Sequence, residues 1–200
     1  MPKSWVKQRK EDGYYKKAKE IGYRSRAAFK LIQINEKFSV MKNGDLVVDL
    51  GAAPGSWSQV ASEIVGKEGR VIAVDRKRMK PLDNVALVRA DLTHPEAFES
   101  IREASEGDVD VVISDMAPRL SGNRHIDQAK SISLAEIAFD FSLEILRKGG
   151  NFVAKVFQGD QFHDYQKAVA SRFDFCKSHS PKASTSSSRE IFVIAKGFRG

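Results

Sequence analysis

The chain is short of several things, and each shortage excludes a class. It has one cysteine in 200 residues, Cys176, so no internal disulfide can staple it. That fits a reducing compartment, and the expected location is cytoplasmic. No apolar run approaches the ~20 residues that a membrane-spanning helix requires, so no membrane partner is expected. The opening MPKSWVKQRK has charge but no apolar segment behind it, so it does not read as a secretory signal. The four histidines and the cysteine are scattered, with no metal-ligand spacing, and no metal site is expected. Repeats and internal linkers are missing too, which leaves one domain; a monomer is the expectation, though no residue pattern sets it.

What is present is charge of one sign in one place. The first thirty residues hold ten Lys/Arg and three acids, whereas the other 170 balance at 23 of each. Trp5, Tyr14, Tyr15 and Tyr23 are interleaved with those cations. A basic segment carrying aromatics suits phosphate attraction and base stacking. The reading is a basic arm over 1–22 and a single domain over 23–200, with Lys16, Lys17, Arg24 and Arg26 foremost as RNA contacts.

Beyond the arm, short apolar strands alternate with helical patterns. Ser25 is positioned to cap a first helix carrying Ala28, Leu31 and Ile32. Strands are expected at 46–50, 71–75, 85–89, 109–114, 152–157, 173–177 and 191–195. Helices are expected at about 56–65, 95–104, 127–146 and 161–171, the third of these ended by Gly149-Gly150. This alternation predicts an α/β fold, a mostly parallel sheet with helices on both faces. Ligands of such sheets bind beyond the carboxyl ends of the strands.

The stretch VVDLGAAPGSWS (47–58) falls at that place. A nicotinamide dinucleotide loop reads GxGxxG, but here Ala53 and Pro54 break the pattern. Gly51 and Gly55 allow close backbone approach to a ligand without phosphates. Asp75, 24 residues after Gly51, ends the second strand and suits a ribose diol. Asp91, after the third strand, suits an adenine amino group. An adenosine bearing an amino acid in place of phosphates is S-adenosyl-L-methionine, the expected cofactor.

Among methyl-transfer chemistries, pyrimidine carbon needs a cysteine nucleophile, but Cys176 sits in a strand pattern and reads as core filler. Base amines call for an aromatic after the fourth strand, and Ser114-Asp115-Met116-Ala117-Pro118 has none. A hydroxyl acceptor remains, and it needs help losing its proton. Lys155 interrupts the apolar run 152–157; burying it costs several kcal/mol unless it is paired or neutral, which singles it out.

The motifs RSRAAFKL (24–31), VVDLGAAPGSWSQ (47–59), SDMAP (114–118), FVAKVFQG (152–159) and SREIFVIAKG (188–197) occur in order. In these the chain resembles the FtsJ/RlmE family of ribosomal RNA 2′-O-ribose methyltransferases, from about Tyr14 to Gly197. The resemblance implies a Rossmann-like class I methyltransferase with a seven-stranded sheet ordered 3-2-1-4-5-7-6, the seventh strand antiparallel. It implies a catalytic tetrad of Lys30, Asp115, Lys155 and Glu190, and donor contacts at Gly55, Trp57, Asp75, Asp91 and Asp115. Its expected substrate is a uridine in the A-loop of large-subunit ribosomal RNA. Transfer RNA as the substrate, and a non-catalytic RNA-binding role in ribosome assembly, stand as alternatives.

Overall fold

The computed structural model describes residues 13–185 and 188–200. The cations at 3, 7, 9 and 10 and Trp5 lie outside the described residues. Helices are α1 (Gly13–Ile21), α2 (Ala28–Phe38), α3 (Ser56–Val65), α4 (Glu96–Ser105), α5 (Arg124–Ile145) and α6 (Phe162–Ala170). Strands are β1 (Leu46–Leu50), β2 (Arg70–Val74), β3 (Val85–Val88), β4 (Val109–Ser114), β5 (Leu146–Phe157), β6 (Phe173–His179) and β7 (Glu190–Phe198).

The seven strands form one sheet in the order β3-β2-β1-β4-β5-β7-β6. The first five pair in parallel, and β7 runs antiparallel to both β5 and β6. Alternation along each strand gives the sheet two buried faces. Val47, Val71, Val111, Ile113, Val153, Phe192 and Ile194 pack under α2 and α3. Val48, Leu50, Ile72, Val112, Phe152, Ala154 and Val193 pack against α4, α5 and α6. Burial on both faces is why these strands read as continuous apolar runs.

Two local expectations need correction. Gly149-Gly150 does not end α5, which stops at Ile145 as Leu146 turns extended (φ −71, ψ 134). The glycines belong to β5, where register slips between Val109 and Val111. Gly149 takes φ +79, and a Cβ on Gly150 would lie 2.9 Å from the Arg147 carbonyl. The pair therefore serves a bulge. Ser25 is not the cap of α2: Ala27 holds that position with no side-chain cap, and Ser25 Oγ instead accepts from Ala27 N and pairs with Ser56 Oγ. The arm is helical from Gly13, with Ala18 buried against Phe29 and Ala183.

Phe152 is fully buried in β5, 5.8 Å from the Phe139 ring and 6.2 Å from the Phe173 ring, centroid to centroid. Phe152→Ala should cost about 3–5 kcal/mol of stability, read as a lower urea midpoint at unchanged slope.

Candidate active site

Five parallel strands, β1 to β5, end at one edge of the sheet, and the reversed β7 begins there. A cavity of about 710 Å³ opens at that edge, within the range of small-ligand pockets. Gly51, Asp75, Asp91 and Asp115 line it, together with apolar Ala90, Leu92, Met116 and Ile137. Gly51 has φ +73, and a Cβ there would collide with the Met116 side chain. Asp75 braces the glycine loop: its Oδ2 accepts from Ala53 N at 2.9 Å and its Oδ1 from Lys77 N at 2.7 Å. Each oxygen keeps capacity for a further donor. Asp91 Oδ1 accepts from Thr93 N and Oγ1, and these bonds hold its carboxyl below the usual range.

Gly55 and Trp57 are not on that cavity's wall. Gly55 (φ +101) faces the Arg24 guanidinium. Trp57 lies in the first turn of α3 and points into the core between α2 and β7. It is 2 % exposed, donates Nε1–H to the Ala27 carbonyl at 2.9 Å and stacks on Phe192.

Lys30, Lys155, Asp115 and Glu190 form one chain of contacts. Lys155 Nζ donates to the Asp115 carbonyl at 2.8 Å and to Asp115 Oδ1 at 2.9 Å, and lies 3.9 Å from Glu190 Oε1. Lys30 Nζ reaches Glu190 Oε2 at 2.7 Å and sits 5.7 Å from the Phe192 ring centre. Both lysines are buried, at 7 % and 5 % exposure for Lys30 and Lys155. Topology makes this meeting possible. In the β5–β7 pairing Phe157 faces Glu190 and Lys155 faces Phe192, so the first residue of β7 lies beside the last turn of β5. Burial alone would raise the Glu190 carboxyl, but the charges of Lys30 and Lys155, with hydrogen bonds from Lys30 and Ser188, outweigh it and leave it lowered. Asp115 is the hinge between the two regions, on the cavity wall and bonded to Lys155.

The cations predicted for RNA divide. Lys16 and Lys17 lie on α1, Lys16 exposed and Lys17 with its ammonium 5.4 Å from the Phe29 ring centre. Arg24 instead clamps backbone, donating to the carbonyls of Pro54, Lys80 and Pro81, each at 2.8 Å. Arg26 donates to the Ala183 carbonyl at 2.7 Å; burial lowers its pKa, while Glu190 opposes that shift. Burial pushes the Cys176 thiol up to about 11, which suits an inert side chain. Among the described residues no group of three His, Cys, Asp or Glu is placed to hold a metal, and no helix is long and apolar enough to cross a membrane.

Sequence reasoning passed over Asp49. It is 1 % exposed in β1, beneath the glycine loop, and accepts from Ser58 Oγ at 2.6 Å. The available signal was the one that exposed Lys155, a charge in an apolar run. Burial, with the charges of Asp115 and Asp75, raises its carboxyl to about 7 against the opposing Ser58 hydrogen bond. Unfolded, the group titrates near ~3.9. The folded chain therefore holds an extra proton between about pH 4 and 7, and stability falls as pH rises through that window. Asp49→Asn should remove this fall, on the order of a few kcal/mol. Urea unfolding of both proteins at pH 5 and pH 8 checks it; parallel pH dependence would contradict the assignment.

Residues 23–198 match the FtsJ-like methyltransferase family. A protein of Methanocella arvoryzae named ribosomal RNA large subunit methyltransferase E is 52 % identical over 190 residues, 95 % of this chain and 73 % of that one. Its namesake in Archaeoglobus fulgidus is 51 % identical, over 95 % of this chain and 97 % of that one. A solved Plasmodium falciparum structure designated a ribosomal RNA methyltransferase superposes with a TM-score of 0.80 at 28 % identity, covering 89 % of this chain and all of the other. Match, fold and the motifs at the sheet edge agree: the chain belongs to the FtsJ-like methyltransferase family.

Proposed function

We propose that the protein is an S-adenosylmethionine-dependent 2′-O-methyltransferase of ribosomal RNA, acting on a uridine in the A-loop of the large subunit. The observation that carries this reading is the Lys30–Glu190, Lys155–Asp115 network abutting a cavity suited to an adenosine. The names of the relatives, ribosomal RNA large subunit methyltransferase E, support the substrate class.

The cavity's donor set fits the methyl donor. Asp75 has acceptor capacity for a ribose diol, Asp91 for an exocyclic amine, and Ala90, Leu92, Met116 and Ile137 offer apolar surface to a base. A Cβ at Gly51 would fill the space taken by Met116, so the loop must stay bare there. Bound in this cavity, S-adenosylmethionine supplies an activated methyl on a sulfonium centre. The chain's own task is then to place a hydroxyl and manage its proton.

Lys155 is assigned that proton. On releasing one proton to solvent, the Lys155 ammonium keeps two N–H groups, and two acceptors face its Nζ, the carbonyl and Oδ1 of Asp115. With both hydrogens so engaged the lone pair is left for the 2′-hydroxyl. As the 2′-oxygen takes the methyl, whose bond to sulfur breaks and leaves a neutral thioether, the hydroxyl's proton passes to that lone pair. Asp115 orients Lys155, Glu190 orients Lys30, and Lys30 steers the ribose or its phosphate. The basic arm over 1–22, with Lys16 and Lys17, gathers RNA phosphates for the single catalytic domain over 23–200. This RNA work is expected of a cytoplasmic monomer.

The test uses tritiated donor and large subunits lacking ribose methylation. The wild type should leave label on a ribose, and Lys155→Ala should lower transfer by at least ~100-fold. Donor affinity, followed by calorimetry, should stay unchanged. Transfer at the wild-type rate by the variant would remove Lys155 from the mechanism, and label on a base would overturn the ribose assignment.

A further inference from the structure

The donor cavity and the tetrad leave one strongly charged surface unexplained. The loop between β2 and β3 begins Asp75-Arg76-Lys77-Arg78-Met79-Lys80. After residue 30 the chain has no net charge, so four cations in five positions are a local excess. All four are exposed. Among the described residues only Arg76 of the four forms an ion pair, a long one of 3.8 Å to Asp91.

This loop is braced. Lys77 N–H is held by Asp75 Oδ1 at 2.7 Å. The Arg24 guanidinium donates to the carbonyls of Lys80 and Pro81, and Arg89 Nε donates to the Arg76 carbonyl at 3.3 Å. Neighbouring like charges repel one another, and these bonds hold them on one short backbone. The cations also border the reaction site: Arg76 and Lys77 stand on the cavity wall, with Arg119 and Lys130 on the same wall. Strand β2 is three places from β5 in the sheet, a lateral distance of about 14 Å at the usual strand spacing. An RNA segment of a few nucleotides spans that distance.

We propose that the β2–β3 loop is a second RNA-contact surface. Lys77, Arg78 and Lys80 neutralise phosphates of the strand whose ribose is presented to Lys155. The inference rests on the RNA-methyltransferase reading above. It also gives Arg24 a part in RNA binding that is indirect, as the brace of this loop. The loop has no aromatic side chain to read a base, so its contacts are to the sequence-independent backbone.

The experiment compares the wild type with the double variant Arg78→Gln/Lys80→Gln, which leaves the cavity wall intact. A matched control, Lys67→Gln/Lys148→Gln, removes the same charge from exposed positions on other elements. Binding to a transcript of the A-loop region of large-subunit ribosomal RNA is followed by anisotropy across a salt series. Donor affinity is measured by calorimetry, and transfer to undermethylated large subunits with tritiated donor. The loop variant should bind the transcript about 10-fold more weakly at low salt, and its log–log salt slope should be shallower by about 1.4. Its donor affinity and its transfer rate at saturating subunits should match the wild type. The control should keep the wild-type slope.

Unchanged RNA affinity and slope in the loop variant would overturn the proposal, and so would an equal loss in the control, which would make the effect one of net charge. A wild type that neither binds this RNA nor methylates subunits would overturn the functional reading itself. That outcome is distinguishable, because a failed loop proposal leaves wild-type transfer intact.

Discussion

Two ammonium groups are buried at one edge of the sheet, and the rest of the site follows from the need to neutralise them. A lysine at 5 % exposure between covered faces is tolerable only with close, well-formed acceptors. Asp115 supplies two oxygens to Lys155, and Glu190 supplies one to Lys30 while facing Lys155 across 3.9 Å. The set contains two cations and two anions, so its total charge is zero. Its members come from α2, the end of β4, β5 and the start of β7. The antiparallel course of β7 is therefore a requirement of this charge network: run the other way, that strand would carry Glu190 to the opposite edge of the sheet.

The cavity and the lysine–carboxylate network are separate regions joined at one residue. The cavity lies over the ends of β1, β2, β3 and β4, whereas Lys30, Lys155 and Glu190 lie over β5 and β7. Asp115 belongs to both. On one side it lines the cavity, and on the other it fixes the lysine proposed to manage the acceptor's proton. A second link runs through residues 22–27. Gln59 accepts from Arg24 N, Ser25 pairs with Ser56, Trp57 donates to the Ala27 carbonyl, and Arg24 holds Pro54 of the glycine loop. The segment that leads into Lys30 is thus stitched to the loop that bounds the donor cavity.

Strand positions and Lys155 were legible because each leaves a one-dimensional mark, whereas the sheet order and the grouping of Lys30, Asp115 and Glu190 with Lys155 came from the resemblance of the motifs. Apolar runs bounded by turns give the strands, and a charge inside such a run gives Lys155. The same mark lay at Asp49 and was overshadowed by the glycine loop that follows it. Other features have no such mark. Gly149-Gly150 reads as a helix stop and serves a bulge, because the slip between β4 and β5 depends on pairing that the sequence does not display. Arg24 reads as a phosphate ligand, but its guanidinium is occupied by three carbonyls, two of them more than fifty residues away. Trp57 follows the glycine loop in sequence, yet helical geometry turns its ring into the core. The cluster at 76–80 was hidden by averaging, since the acids elsewhere cancel it in any count over the domain.

The central claim is that the buried lysines and carboxylates work as one unit in methyl transfer. A double-mutant cycle on Lys30 and Glu190 tests it most directly, using single-turnover transfer rates at saturating donor and subunits. With Lys30→Ala, Glu190→Gln and the pair combined, the account predicts that the double variant is no slower than the slower single variant. With each single variant slowed at least ~13-fold, that corresponds to a coupling of at least ~1.5 kcal/mol, within the range for residues in one ion-pair network. Rate losses that simply multiply would show two independent side chains and would contradict the account.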